Sequence, residues 1–334
     1  MTTPLLELDR VRKDFKVGGG IRKRTLTALD DVSLVLPADR SVVHAIIGES
    51  GSGKSTLARL VMGLMKPTSG HVRYRGRDVN DWMRKDFLTF RREVQMILQD
   101  PYSTYNPFYR VDRVLYSTVK KFKLAESKEQ ADELVVDAMR AMGLRPEYLL
   151  GRYPHQLSGG ERQRLMLSRI LMLKPRIVVA DEPVSMLDAS LRAIFLDNLL
   201  KLKDDLGLSC LYITHDMNMA GHVSDEMTIM THGHVAERGQ SRQIIAEPLH
   251  PYTQLLVDSM AVPDPDKRWT EIMDFNLGTM EDIKPARGCK FTPRCPHAMQ
   301  ICADQAPSLL PEGDREVSCY LYHDQPVAAG GDTT

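Results

Sequence analysis

The sequence carries no excess of either charge: 44 Lys and Arg stand against 44 Asp and Glu. A chain without net charge has no global attraction for nucleic acid, so no nucleic-acid partner is expected. Its strongest basic run, Arg22-Lys23-Arg24, lies beside glycines and reads as a solvated loop. No apolar run approaches the ~18 residues needed to span a bilayer. The first residues, MTTPLLELDRVRKDF, carry charges where a secretion signal needs an apolar stretch, so a cytoplasmic chain is expected. Repeats of solenoid length, a long coiled-coil insertion and low-complexity tracts are missing too, apart from Gly18-Gly19-Gly20 and the polar end after Pro326. What is present is ordinary globular composition, 43% apolar and 26% charged over 334 residues. That is enough for one large domain and an appended one, and it excludes disorder as the main state.

Three apolar runs have the character of strands buried on both faces: 41–47 ending at Gly48, Ile177–Ala180 ending at Asp181, and Leu211–Thr214 ending at His215. Each delivers a polar or turn residue at its carboxyl end, the edge where open parallel α/β sheets bind ligands. Helical patterns lie between them. Ser127 and Gln130 form a capping box before Ala131, Leu134, Val135, Ala138 and Met142, with Gly143 as the stop. After Asp188, the residues Leu191, Ile194, Phe195, Leu199 and Leu202 make one face, and Gly207 follows. The expected fold class is α/β with a helical insertion. Beyond about residue 240, prolines such as Pro248, Pro251, Pro263, Pro265, Pro285, Pro293 and Pro296 leave little room for long helices and mark a boundary.

Residues 48–55 read GESGSGKS, the pattern G-x-x-x-x-G-K-[ST] between a predicted strand and a predicted helix. Gly48, Gly51 and Gly53 let backbone N–H groups turn toward phosphates, Lys54 reaches the β and γ phosphates, and Ser55 can ligate Mg²⁺. Asp181, at the end of IVVA, is the expected second metal residue, and Glu182 the expected general base for water. Residues 157–164, LSGGERQR, place Ser158, Gly159 and Gly160 at a helix amino terminus, a second anion site in a chain with one phosphate loop.

Together GESGSGKS, LSGGERQR, IVVADEP and the later His215 resemble the nucleotide-binding subunit of an ATP-binding cassette (ABC) transporter, over roughly residues 5–240. The resemblance implies a P-loop NTPase cassette with a mainly parallel core sheet, an antiparallel β subdomain and a helical subdomain at about 105–160. It implies that ATP is contacted by Phe15, stacked on adenine, and by Gly48, Glu49, Ser50, Gly51, Ser52, Gly53, Lys54, Ser55 and Thr56. Gln99 in LQDP, and not Gln95, would sense Mg²⁺ beside Ser55 and Asp181, and His215 would contact the γ-phosphate. Ser158, Gly159, Gly160 and Asp188 would act in trans on the nucleotide of a second cassette, by preference a paralogue. Two departures are Glu161 where glutamine is common and VSMLD where TSALD is common; both leave the catalytic chemistry intact.

HPYTQLL at 250–256 followed by GCKFTPRCPHAMQIC resembles the tail of the oligopeptide and dipeptide importer subgroup, with residues 241–334 as a separate C-terminal domain. This implies an ATP-hydrolysing subunit on the cytoplasmic face of the membrane. Its partners would be a second ATPase subunit, two transmembrane permeases and an extracytoplasmic binding protein, and its cargo a peptide, an oligosaccharide or nickel. Segment 100–116, aromatic-rich with Tyr105 and Phe108, is the expected permease contact. A soluble cassette ATPase of nucleic-acid maintenance or of iron–sulfur assembly is the alternative. Cys289, Cys295, Cys302 and Cys319 are spaced C-x5-C-x6-C-x16-C without the C-x-x-C knuckles of structural zinc. A [4Fe–4S] cluster is the first expectation for them, supported by the resemblance; zinc and unligated thiols are the others. Cys210, inside an apolar strand, reads as core.

Overall fold

The computed structural model describes residues 3–18, 24–99, 105–185, 187–260 and 287–322. Arg22, Lys23, residues 100–104 of the aromatic segment, the prolines at 263, 265 and 285, and the end after Pro326 lie outside the described residues. The chain divides into two compact units, one of residues 1–11, 33–44 and 55–214, the other of residues 12–32, 45–54 and 215–334.

Strands β1 (Leu6–Val17), β2 (Arg24–Leu36) and β3 (Val43–Ile47) each contribute residues to both units. In the first unit β4 (Ser69–Tyr74) pairs antiparallel with β5 (Arg77–Asp78), and the four-stranded sheet has the order β2-β1-β4-β5. Strands β6 (Val94–Ile97), β7 (Ile177–Asp181) and β8 (Ser209–Thr214) run parallel, Val94 opposite Ile177 and Ile177 opposite Ser209. The first four residues of β7 and all of β8 are buried, which explains their unbroken apolar runs. Cys210 lies within β8 as expected, fully buried, and burial pushes its thiol up to about 12.

Helix α1 (Lys54–Val61) follows the phosphate loop. The insertion holds α2 (Asp112–Phe122), α3 (Lys128–Ala141) and α4 (Gly159–Leu173), with a core of its own built on Leu115, Val135, Met139, Leu157 and Leu165. Ser127 caps α3 by accepting the Gln130 N–H at 3.2 Å. Gln130 returns its side-chain carbonyl to the amide of Glu126 rather than to that of Ser127. Helix α5 (Ala189–Leu206) starts at Asp188 and ends at Gly207, whose φ of 62° suits a left-handed cap. Its buried face is Phe195, Leu196, Leu199 and Leu202; Ile194, expected inside, is 44% exposed, because the stripe is centred a few tens of degrees further round the helix.

The second unit continues β3 and adds β9 (Glu226–Thr231), β10 (His234–Gln240), β11 (Leu310–Glu312) and β12 (Arg315–Val317). Beside β9 the order is β10, β12, β11, all antiparallel, so the last strands among the described residues extend the sheet from β9 and β10. Helix α6 (Pro251–Asp258), made by PYTQLLVD, is short as the proline spacing requires. Among the described residues no helix is long and apolar enough to cross a membrane.

Candidate functional site

The phosphate loop begins where β3 ends. Gly48 admits no side chain, since a Cβ there would stand 2.1 Å from the Met230 carbonyl oxygen. Gly53, at φ +102°, is doubly constrained, because its Cβ would also approach the Ala28 carbonyl to 2.4 Å. Lys54 is nearly buried, and its ammonium donates to the Gly48 carbonyl at 2.6 Å and the Glu49 carbonyl at 2.8 Å. The Glu49 carbonyl also accepts the Ser52 N–H at 3.2 Å, which closes the loop on itself. Ser50, Gly51 and Ser55 are exposed, and Gly53 and Thr56 are half-buried. A curled loop with its lysine drawn inward and several exposed positions can cradle a polyphosphate.

Glu49 is held on two further sides. Arg294 grips its carboxylate bidentately, Nη1 to Oε2 at 2.8 Å and Nη2 to Oε1 at 3.0 Å. Its backbone N–H donates to the Tyr252 hydroxyl at 2.9 Å. Arg294 and Tyr252 lie in the tail motifs GCKFTPRCPHAMQIC and HPYTQLL. No local pattern links residues 203 and 245 positions apart.

In the other unit, Ser55 Oγ donates to Asp181 Oδ1 at 3.4 Å. A hydroxyl and a carboxylate so placed are hard oxygen donors and fit a small divalent cation such as Mg²⁺. Glu182 follows with φ 46°, a left-handed conformation that costs a non-glycine residue about 1 kcal/mol or more. The turn is fixed by its N–H, which donates to the Ile213 carbonyl at 2.8 Å. Gln99 Nε2 donates to Glu182 Oε2 at 2.9 Å, so the structure joins these two expected residues. Gln95, set aside in the sequence, is buried and accepts from Arg169 at 3.1 Å.

His215 is exposed immediately after β8. Phe15 is half-buried, with the Lys13 ammonium 5.4 Å from its ring centroid. Ser158 caps α4 in a full capping box: its Oγ accepts the Glu161 N–H at 3.2 Å and donates to Glu161 Oε2 at 2.8 Å. Glu161, the departure from glutamine, therefore occupies the helix terminus with its own carboxylate. Gly160 is small because Leu191 of α5 stands 2.9 Å from where its Cβ would be. Asp188 Oδ1 accepts the Leu191 N–H at 2.9 Å and the Ser190 hydroxyl at 2.8 Å, bonds that hold its carboxyl below the usual range.

Of the aromatic segment, Tyr105 is 7% exposed, packs in the core of the helical insertion and donates its hydroxyl to the Arg162 carbonyl at 3.0 Å. This corrects its expected role as a surface contact. Phe108, 83% exposed, keeps that role open.

Cys289, Cys295, Cys302 and Cys319 line one pocket together with His250, Phe291, His297 and Tyr320. Cys289 donates its N–H to the Cys302 carbonyl at 2.7 Å. Burial raises the thiols of Cys289, Cys295 and Cys319, the last to about 11. Among the described residues no group of three or more His, Cys, Asp or Glu is arranged to hold a metal ion. Among the described residues, neither the [4Fe–4S] expectation nor the zinc expectation therefore finds support in this geometry.

Residues 29–185 match the ABC transporter family model, and residues 236–302 match the C-terminal region of oligopeptide/dipeptide transporters. The oligopeptide transport ATP-binding protein OppF of Escherichia coli (strain K12) is 35% identical over 321 residues, covering 94% of this chain and 95% of that protein. The di/tripeptide transport ATP-binding protein DppF of Pseudomonas aeruginosa (strain UCBPP-PA14) is 37% identical, covering 96% of this chain and 98% of that protein. Among solved structures, the dimeric post-hydrolysis state of the ATP-binding cassette MJ0796 bound to ADP and Pi is 27% identical with a TM-score of 0.62. It covers 71% of this chain and 99% of that one.

Proposed function

Because the chain belongs to the oligopeptide/dipeptide transport ATP-binding proteins of the ABC transporter family, we propose that it hydrolyses ATP at the cytoplasmic face of the cell membrane to drive peptide import. The observation that carries this reading is the pairing of Ser55 with Asp181 and of Gln99 with Glu182. It sets two hard oxygen donors together where a divalent cation could bind and gives the candidate base a polar neighbour that can orient it. The match over residues 236–302 speaks against the soluble-cassette alternatives.

In the proposed reaction, the exposed loop amides and the Lys54 ammonium bind the phosphates of ATP. Ser55 and Asp181 would hold Mg²⁺, which would supply positive charge to offset that of the phosphates. Glu182 takes a proton from the attacking water, and Gln99 holds the carboxylate in place. His215 contacts the γ-phosphate and Phe15 stacks on adenine. Ser158, Gly159, Gly160 and Asp188 serve the nucleotide of a second cassette subunit. In that state the Ser158 hydroxyl has to turn from Glu161 toward phosphate.

Two permease subunits and an extracytoplasmic binding protein complete the importer. Phe108 supports a permease contact, since an aromatic side chain left in water gains most from burial at an interface. Phe108→Ala is expected to cut ATP-driven uptake in membrane vesicles about tenfold or more while basal hydrolysis stays unchanged. Equal uptake by the variant counts against this contact.

The four thiols of the shared pocket are proposed to hold a [4Fe–4S] cluster, a donor set that suits iron–sulfur chemistry and would brace a segment poor in apolar core. Anaerobically purified protein should be brown, with about four iron and four sulfide per chain. Colourless protein free of iron overturns the assignment.

A further inference from the structure

We infer that Arg294 and Tyr252, from the C-terminal region after β10, act as positioning residues for the phosphate loop and set the chain's affinity for Mg-ATP. The inference deepens the proposed nucleotide site and rests on it.

Its basis is the position of Glu49, all three of whose polar groups are engaged. The carbonyl accepts the Lys54 ammonium at 2.8 Å and the Ser52 N–H at 3.2 Å, so it fixes both the lysine and the curl of the loop. The N–H is held by the Tyr252 hydroxyl at 2.9 Å, and the carboxylate by the Arg294 fork at 2.8 and 3.0 Å. One face of this residue therefore organises the phosphate-binding groups, and the other two contacts come from the C-terminal region. A displacement of Arg294 or Tyr252 moves the acceptor on which Lys54 sits.

Both holders are themselves fixed. The Tyr252 ring is fully buried, 5.4 Å from the ring centroid of Phe291, and the Arg294 guanidinium lies 5.7 Å from the same ring. Tyr252 donates its N–H to His250 Nδ1 at 3.0 Å. Burial lowers that imidazole to about 4, so near pH 7 it is neutral and can accept. The His250 backbone N–H donates to the fully buried side chain of Glu237 in β10 at 3.0 Å. A chain of bonds thus runs from β10 through the start of α6 to the loop.

The Arg294 side chain is 17% exposed and that of Glu49 41%, so the fork is neither a fully solvated pair nor a deeply buried one. Its planar bidentate geometry specifies direction as well as distance, which lysine cannot reproduce. Arg294 also directly precedes Cys295 of the thiol pocket.

The test is equilibrium titration of the full chain with Mg-ATP, alongside its nucleotide-free thermal midpoint. Arg294→Met is expected to weaken binding about tenfold, and Arg294→Lys to recover only part of the loss. Tyr252→Phe removes one oxygen and leaves the packed ring, so it stays folded; its affinity should fall about threefold to tenfold. Arg294→Met combined with Glu49→Gln should be no weaker than the worse single variant, because both break one interaction. Affinities within twofold of wild type in Arg294→Met and Tyr252→Phe, whatever their midpoints, overturn the inference and leave only a structural brace. A wild-type chain that binds no Mg-ATP overturns the nucleotide reading itself, a result distinguishable from the first.

Discussion

Replacing Glu182 with glutamine is expected to lower ATP hydrolysis by about 10²–10⁴-fold, the usual contribution of a positioned general base, while Mg-ATP binding survives. The substitution is close to isosteric, and the Gln99 Nε2 donor, now 2.9 Å from Glu182 Oε2, can still donate to the amide oxygen of the variant. The left-handed turn at φ 46° is held by the bond from the residue's own N–H to Ile213, which the side chain does not make. The local fold should therefore persist with only proton transfer removed. With binding intact and turnover blocked, ATP should accumulate on the protein together with a closed pair of cassettes. Single-turnover hydrolysis and particle mass measured with and without Mg-ATP check both halves. Hydrolysis within a factor of two of wild type would mean that another group takes the proton.

Lys54→Ala should act one step earlier, on binding. Hydrogen bonds to charged groups are worth about 1.5–3 kcal/mol each, so losing the ammonium should weaken Mg-ATP affinity roughly 10- to 150-fold. The structure adds a second cost. Lys54 also donates to the Gly48 and Glu49 carbonyls at 2.6 and 2.8 Å. Alanine leaves these acceptors without the lysine, and the loop loses part of its curl before any nucleotide arrives. Calorimetric titration separates this variant from Glu182→Gln: the first should show little heat of binding, the second a wild-type affinity. Equal affinity in Lys54→Ala and wild type would remove the phosphate role from this residue.

The curled loop after β3, the carboxylates at the end of β7 and the capped start of α4 were legible as structure because each is built from contiguous residues. Backbone N–H groups that converge on phosphate must come from one short glycine-rich turn, and a carboxylate at a strand end announces itself by the apolar run before it. The caps of α3 and α5 were legible for the same local reason, as Ser127 and Asp188 act within three residues of themselves. Less legible was whatever depends on a few tens of degrees of helix rotation: Ile194 was expected inside, and Leu196 takes that place. Tyr105 was misread because aromatic composition does not distinguish a surface contact from the core of a helical insertion. The engagement of Ser158 by Glu161 was half visible, since S-x-x-E is a capping box, but it stood behind the phosphate role of the same serine. The hold on Glu49 was not legible at all. Arg294 and Tyr252 belong to recognisable tail motifs, yet their partner is more than 200 positions away, and only tertiary packing brings them together.

The central claim is that this chain spends ATP to move a peptide across a membrane. Its most direct measurement is uptake of a labelled peptide into proteoliposomes holding the intact membrane complex purified through this chain, with its binding protein supplied outside and Mg-ATP within. The account predicts two polytopic subunits in the purified complex and peptide accumulation that requires ATP and disappears with Glu182→Gln. Accumulation that proceeds without ATP or with the variant at wild-type rate, or a purified complex containing no membrane subunit, would contradict it.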